Sequence, residues 1–133
     1  MSAYAVLVVE DEADVRDVIN EILELYGYSV TLAAEGLEGW KLARTNKYDL
    51  IITDLGIPGI SGLELIRRIR AASIRTPVLI ITGVIFENSS SEIRALRPCD
   101  VLLKPFRIDD LLKKIASLAA QVKANPKEVS KTK

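Results

Sequence analysis

Short apolar runs alternate along the chain with stretches that show helical spacing. The runs are rich in valine, isoleucine and leucine and occupy residues 5–9, 28–32, 50–53, 78–82 and 101–103. Several of them are nearly continuous rather than alternating, which is typical of strands buried on both faces of a sheet. The pattern therefore predicts five short parallel strands.

The segments between these runs predict helices. We expect a first helix that stops at Gly27, a second over roughly 34–46, a third after the candidate N-cap Ser61, a weaker fourth near 90–96, and a fifth over about 108–122. The residues expected to share the apolar faces of the first, second, third and fifth helices are Val15, Val18, Ile19, Ile22, Tyr26, Leu37, Trp40, either Ala43 or Arg44, Leu65, Ile66, Ile69, Leu111, Leu112, Ile115, Leu118 and Ala119.

Strict alternation of strand and helix predicts a parallel sheet with helices on both faces, joined by right-handed crossovers. The length of 133 residues, of which 49% are hydrophobic and 27% charged, fits a single α/β sandwich with one core. We expect this domain to span residues 1–122. Residues 123–133 are polar, contain a proline, and are expected to form a disordered tail or the start of a linker.

Charge and composition narrow the classes of function. Eighteen basic and eighteen acidic residues give no net charge, so we expect no direct binding of nucleic acid by this domain. No apolar stretch is long enough for membrane insertion and the start lacks a signal-peptide pattern, so we expect a cytoplasmic protein. Histidine is absent, so oxygen ligands must hold any metal. The single cysteine, Cys99, is interpreted as structural.

Charged side chains follow three of the predicted strands. Glu10 and Asp11 come after the first run, Asp54 after the third, and Lys104 after the last. The carboxyl ends of parallel strands meet at one edge of the sheet, where ligands bind. Three carboxylates this close would repel one another by several kcal/mol unless a cation joined them. A carboxylate nucleophile, a divalent cation and an ammonium group suit a site that receives a phosphoryl group.

Four short motifs carry a family resemblance. Val-Val-Glu-Asp-Glu at 8–12, Asp-Leu-Gly-Ile-Pro-Gly-Ile-Ser-Gly at 54–62, Ile-Thr-Gly at 81–83 and Lys-Pro-Phe at 104–106 resemble the receiver domain of bacterial response regulators. Each motif alone is weak, but their order and spacing together are specific. The resemblance covers residues 1–122 and implies a flavodoxin-like (βα)5 three-layer sandwich with a parallel five-stranded sheet of order 2-1-3-4-5.

The resemblance also implies a two-component signalling role. Asp54 would accept a phosphoryl group from a histidine kinase or a histidine phosphotransfer protein, and phosphorylation would switch binding of a downstream protein whose identity is unknown. Thr82 and Lys104 would contact the phosphoryl group. The ligands implied for the cofactor Mg²⁺ are Glu10, Asp11, Asp54 and the backbone carbonyl of Gly56.

The chain departs from the family pattern at several positions. Glu10 stands where the family usually has aspartate. Val101 occupies the position of the family's aromatic residue, which moves together with the threonine at the position of Thr82. The resemblance therefore implies that Thr82 and Val101 are the switch positions. Gly56 and Val84 lack side-chain groups that orient water, and we therefore expect a long-lived aspartyl phosphate.

Simpler interpretations apply to each residue taken alone. Glu10 and Asp11 would cap a helix, Asp54 would be a turn residue, Lys104 would be solvated, and Thr82 would be an ordinary strand residue. All of these must hold at once to replace the phosphoacceptor hypothesis.

Two other functions stay open, a receiver used only as an interaction module and an aspartyl-nucleophile phosphatase. The glycines at positions 56, 59 and 62 are interpreted as turn residues.

Overall fold

The computed structural model describes residues 4–83 and 94–123. Five strands and four helices lie within these two ranges. In chain order they are β1 (Ala5–Val9), α1 (Ala13–Leu25), β2 (Ser29–Ala33), α2 (Gly36–Thr45), β3 (Leu50–Thr53), α3 (Gly62–Ala71), β4 (Val78–Thr82), β5 (Cys99–Leu103) and α4 (Ile108–Lys123). None of the described helices is both long and apolar enough to cross a membrane.

The strands form one sheet of order β2-β1-β3-β4-β5, and all neighbouring pairs are parallel. Val9 lies opposite Thr53 and Ala33, and Thr82 lies opposite Leu103. The strands therefore end together at one edge of the sheet. This arrangement confirms the expected flavodoxin-like fold and strand order.

Two hydrophobic clusters cover the two faces of the sheet. Alternate residues of β1 enter different clusters, with Val6 and Val8 on one face and Leu7 and Val9 on the other. The first face is covered by α1 and α4, and the second by α2 and α3. The helix residues buried on these faces include Ile19, Leu23, Leu111, Ile115 and Leu118 on the first and Ala43, Leu65, Ile66 and Ile69 on the second.

Two predicted helix ends are confirmed. Ser61 caps α3, where its hydroxyl oxygen accepts the backbone N–H of Glu64 at 3.1 Å. Gly27 follows α1 with φ of 89°, a conformation that glycine adopts without steric cost. Gly59 also has positive φ, as a turn glycine should, but Gly62 does not belong to a turn, because it is the first residue of α3.

The predicted faces of the first two helices are partly wrong. Val18, Tyr26 and Leu37 are half exposed, whereas Leu23, which the pattern did not select, is fully buried. Tyr26 lies past the last turn of α1, and Val18 lies at the margin of the stripe that Ile19 and Leu23 turn toward the sheet. Trp40 packs against the second cluster as expected.

Two predicted features lie mostly outside the described residues: the fourth helix of the sequence pattern and the tail. Val84, one of the two positions expected to affect the lifetime of the aspartyl phosphate, also lies outside them. Strand β5 begins at Cys99, two residues before the predicted start. Pairing of Val78 with Cys99 and of Leu79 with Asp100 extends the strand beyond its apolar run.

A partly buried arginine joins two segments at the opposite edge of the sheet. Arg70, on the last turn of α3, donates four hydrogen bonds of 2.7–2.9 Å to main-chain carbonyl oxygens. The acceptors are Ile74, Thr76, Leu96 and Pro98. Burial lowers the pKa of Arg70 to about 10, so the guanidinium remains charged at neutral pH. Arg70 thereby joins the segments that enter β4 and β5.

Candidate functional site

An ammonium group lies among three carboxylates at the carboxyl edge of the sheet. Lys104 Nζ is 2.7 Å from Asp54 Oδ2, 3.1 Å from Glu10 Oε1 and 3.6 Å from Glu12 Oε1. The lysine follows β5, Asp54 follows β3, and both glutamates follow β1. The topology thus brings together residues that the sequence pattern placed at separate strand ends.

Glu10 is held from several sides. Its side chain is only 2% exposed, and its second oxygen, Oε2, accepts the backbone N–H of Glu12 at 3.0 Å. Its carbonyl oxygen accepts a 2.7 Å hydrogen bond from the Arg16 guanidinium, and its N–H donates to the carbonyl of Ala33. Burial raises the pKa of Glu10, although the backbone N–H of Glu12 and the ammonium of Lys104 act in the opposite direction.

The ammonium of Lys104 is stabilised in its charged form. Burial lowers the pKa of Lys104, but hydrogen bonds and charge from Asp54 and Glu10 together outweigh burial, so its pKa is raised. The cation is therefore fixed at the site throughout the neutral pH range.

Asp54 sits at the start of the loop after β3. Its N–H donates to the carbonyl of Val9 at 3.2 Å. Oδ1 accepts the backbone N–H groups of Leu55 and Gly56 at 2.6 and 3.3 Å, and Oδ2 faces Lys104. The side chain keeps 12% of its surface exposed, so the carboxylate is oriented but reachable from solvent.

The two residues named as a switch pair lie on β4 and β5. Thr82 is buried, and its carbonyl oxygen accepts the N–H of Lys104 at 2.8 Å, which links the end of β4 to the lysine. Val101 is half buried, lies opposite Ile80 and packs against the second hydrophobic cluster. Gly56 is exposed in the loop after Asp54.

The three grouped carboxylates differ from the predicted set. Glu10, Glu12 and Asp54 each offer an oxygen within 4.8 Å of the others, whereas Asp11 is exposed and is not part of this group. The sequence pattern did not select Glu12, although it is the third acid of Glu-Asp-Glu at residues 10–12. Glu12 is the N-cap residue of α1, so it lies between the end of β1 and the start of α1, at the carboxyl edge of the sheet.

The donor set fits a hard divalent cation. The available ligands are carboxylate oxygens, which Mg²⁺ and Ca²⁺ prefer to nitrogen or sulfur. The loop directly after Asp54 adds backbone carbonyl groups, which also bind such ions. Lys104 would have to share its carboxylate partners with a bound cation.

A groove adjoins the site on the α1 side of the sheet. It has a volume of about 730 Å³ and runs between α1 and the segment that joins β5 to α4. Its floor is apolar and consists of Val15, Val18, Ile22, Pro105, Phe106 and Ile108. Asp14, Glu21 and Lys104 also line it, so Lys104 belongs to both the groove and the carboxylate site.

Curated proteins of related sequence are longer than this chain. The transcriptional regulatory protein YkoG of Bacillus subtilis is 36% identical over 118 residues, which are 87% of this chain and 51% of YkoG. The cell cycle transcriptional regulator CtrA of Caulobacter vibrioides is 32% identical over 127 residues, which are 96% of this chain and 55% of CtrA. The chain thus spans about half the length of these relatives.

Solved structures share the fold of this chain, and a protein-family model matches its sequence. The chemotaxis response regulator CheY4 of Vibrio cholerae superposes with a TM-score of 0.80 at 30% identity, over 88% of this chain and 99% of that one. A CheY-like receiver from Methanospirillum hungatei gives a TM-score of 0.85 at 27% identity, over 93% of this chain and 100% of that one. Residues 6–116 match the response regulator receiver domain family. This chain belongs to that family, whose members are signalling domains of two-component systems rather than enzymes in the usual sense.

Proposed function

We propose that this receiver accepts a phosphoryl group on Asp54 from a phosphohistidine donor in a reaction that depends on Mg²⁺. The observation that carries the proposal is the contact of Lys104 Nζ with Asp54 Oδ2 at 2.7 Å beside the buried Glu10. A fixed ammonium next to an oriented carboxylate is suited to holding the oxygens of a phosphoryl group while that carboxylate attacks phosphorus.

The transfer exchanges one bond for another. An oxygen of Asp54 forms the new O–P bond while the N–P bond of the phosphohistidine breaks and the imidazole leaves with the bonding electron pair. Lys104 stabilises the charge on the transferring oxygens, and the Thr82 hydroxyl donates a hydrogen bond to the phosphoryl group once it is attached. The chain has no histidine of its own, so the donor imidazole belongs to a kinase or phosphotransfer protein.

The proposed Mg²⁺ ligands are Glu10, Asp11, Asp54 and the backbone carbonyl of Gly56. When bound, the ion offsets the negative charge of the carboxylates and of the incoming phosphoryl group. Glu12 lies close enough to Lys104 to contribute to the field at the site, but it is 65% exposed. We assign it a smaller role than Asp11, which occupies the family's ligand position.

The groove between α1 and the β5–α4 segment is the proposed docking surface of the phosphohistidine protein. It offers apolar surface directly beside Lys104, so a partner seated there brings its histidine to the same edge as Asp54. Substituting Val18 by glutamate should then slow transfer from the protein donor but leave phosphorylation by acetyl phosphate unchanged. Equal slowing with both donors would contradict this placement.

Output is proposed to run through a protein partner whose binding changes on phosphorylation. The curated relatives are named as transcriptional regulators, and regulation of transcription is the pathway we favour for the whole protein. The balanced charge of this chain leads us to assign any DNA contact to a separate domain or partner. The domain limits of residues 1–122, with the remainder as tail or linker, remain part of this proposal.

An NMR titration tests the proposal. Mg²⁺ and then beryllofluoride, a phosphoryl mimic, are added to the wild type, to Asp54→Ala and to Asp17→Asn, a charge-matched control on the exposed side of α1. We expect shifts at Asp54, Thr82 and Lys104 in the wild type and the control, and no beryllofluoride response in Asp54→Ala. A wild type that ignores both ligands would instead favour an interaction module without phosphorylation.

A further inference from the structure

Helix α3 begins in direct contact with the main chain of Asp54. Gly62, its first residue, is buried and donates its N–H to the carbonyl of Leu55 at 3.0 Å. A Cβ at Gly62 would overlap the Asp54 carbonyl oxygen and would approach the Asp54 carbonyl carbon to 2.9 Å and Leu55 Cα to 3.0 Å. Every obstructing atom is backbone, so no side-chain rotation relieves the overlap.

The same carbonyl group is held from a second side. The hydroxyl of Thr53, which is fully buried, donates to the Asp54 carbonyl oxygen at 2.9 Å. The N–H of Asp54 is bound to Val9 on the neighbouring strand. The peptide groups on both sides of the Asp54 Cα are therefore fixed by contacts outside the carboxylate cluster.

The far end of the loop is fixed in a similar way. Gly36, the first residue of α2, donates its N–H to the carbonyl of Pro58 at 3.0 Å. A Cβ there would overlap the Ile60 carbonyl oxygen and approach Ile60 Cγ1 to 2.7 Å. The loop that carries Asp54 thus lies against the N-terminal ends of both α3 and α2.

We propose that Gly62 and Thr53 are positioning residues for the phosphoacceptor, an inference that rests on the proposed function. They fix the Asp54 carbonyl, and the backbone in turn directs the carboxylate toward Lys104. A side chain at position 62 must displace either the Asp54 peptide or the first turn of α3. A displacement of about 1 Å is enough to lower the rate of a positioned reaction by roughly a hundredfold.

The test compares Gly62→Ala and Thr53→Val with wild type and with Leu118→Ala, a core truncation in α4 on the first hydrophobic face. Urea unfolding gives the stability of each variant. Affinity for beryllofluoride in the presence of Mg²⁺, measured by ¹⁹F NMR where each variant is folded, gives the state of the site. A merely structural role would lower stability in all three variants without changing this affinity.

We expect Gly62→Ala to weaken beryllofluoride binding roughly tenfold or more, and Leu118→Ala to leave it within about twofold of wild type. Thr53→Val keeps the side-chain shape but removes the hydroxyl, and we expect binding about threefold weaker. Should Gly62→Ala fail to fold, Thr53→Val decides the question. Wild-type affinity in the folded variants would overturn the positioning role while leaving the proposed function intact. A wild type that binds no beryllofluoride would overturn both.

Discussion

Lys104 reaches past the end of β4 to place its ammonium 2.7 Å from the carboxylate of Asp54, a residue 50 positions earlier in the chain. The main-chain bond from Lys104 to the carbonyl of Thr82 fixes the base of the lysine at that crossing. The pair joins β3 to β5, which are not neighbours in the sheet. One cation therefore connects the proposed nucleophile to the acidic residues after β1.

Substituting Lys104 by methionine should strengthen Mg²⁺ binding while slowing phosphorylation. The ammonium competes with a divalent ion for Asp54 and Glu10, and its removal should tighten Mg²⁺ binding roughly fivefold, equivalent to about 1 kcal/mol. Isothermal titration calorimetry measures the affinity. Lys114→Met is the matched control, because that lysine pairs with Asp100 at 3.1 Å near the opposite end of β5. Unchanged or weaker Mg²⁺ binding in Lys104→Met would contradict competition for shared carboxylates.

Asp11 and Glu12 are distinguished by removing their charges one at a time. We expect Asp11→Asn to weaken Mg²⁺ binding roughly tenfold, since it removes a proposed ligand. Glu12→Gln should weaken it by no more than about twofold, because the Glu12 side chain is 65% exposed and its oxygen lies 3.6 Å from Lys104 Nζ. The same calorimetric titration measures both. The reverse order of effects would assign the ligand role to Glu12.

Substituting Arg70 by methionine should cost about 3 kcal/mol of the free energy of unfolding. The change leaves four main-chain acceptors at the entries to β4 and β5 without the guanidinium that now satisfies them. Urea unfolding measures the loss. Arg68→Met is the control, because its pair with Glu64 lies on the helix surface and should contribute less than about 0.5 kcal/mol. Equal losses in the two variants would show that the carbonyls find other partners.

Cys99 should react slowly with alkylating agents in the folded protein. Burial raises its pKa from 9.0 to about 12, and nearby Arg70 opposes this only in part. The thiolate is the reactive form, so the raised pKa predicts much less thiolate at pH 8 in the folded protein than in the unfolded chain. The iodoacetamide rate should keep rising with pH beyond 9 in native protein but level off near 9 in urea. Fast native alkylation at pH 8 would contradict the burial of this thiol.

The raised pKa of Cys99 also makes the stability of the folded protein depend on pH in the alkaline range. The folded state binds the Cys99 proton more tightly than the unfolded state does. The contribution of this group to stability is therefore complete below pH 9 and is lost as the pH rises from about 9 to about 12.

The strands, and the edge of the sheet at which the site lies, could be predicted because both follow from short apolar runs in the sequence. Continuous apolar runs located β1, β3 and β4, and parallel topology then required Glu10, Asp54 and Lys104 to meet. The strand order followed from the resemblance to receiver domains and not from the pattern of apolar runs.

Contacts between distant segments left no comparable signal. The sequence pattern indicated only a turn residue at Gly62. Its closeness to the Asp54 carbonyl depends on how α3 packs against the loop after β3, which the local sequence does not specify. The role of Arg70 could not be predicted from the sequence, because its acceptors at Leu96 and Pro98 lie 26 and 28 positions away. Glu12 lies in the site because, as the N-cap of α1, it remains close to the end of β1.

The central claim is that Asp54 is the phosphoacceptor, and chemical trapping of the acyl phosphate tests it most directly. Wild type and Asp54→Asn are incubated with acetyl phosphate, with and without Mg²⁺, reduced with borohydride and mapped by tandem mass spectrometry. Reduction converts an aspartyl phosphate to homoserine. We predict homoserine at position 54 of the wild type when Mg²⁺ is present, and none there in Asp54→Asn. An unmodified Asp54 in the wild type, or modification of another aspartate in its place, would contradict the assignment.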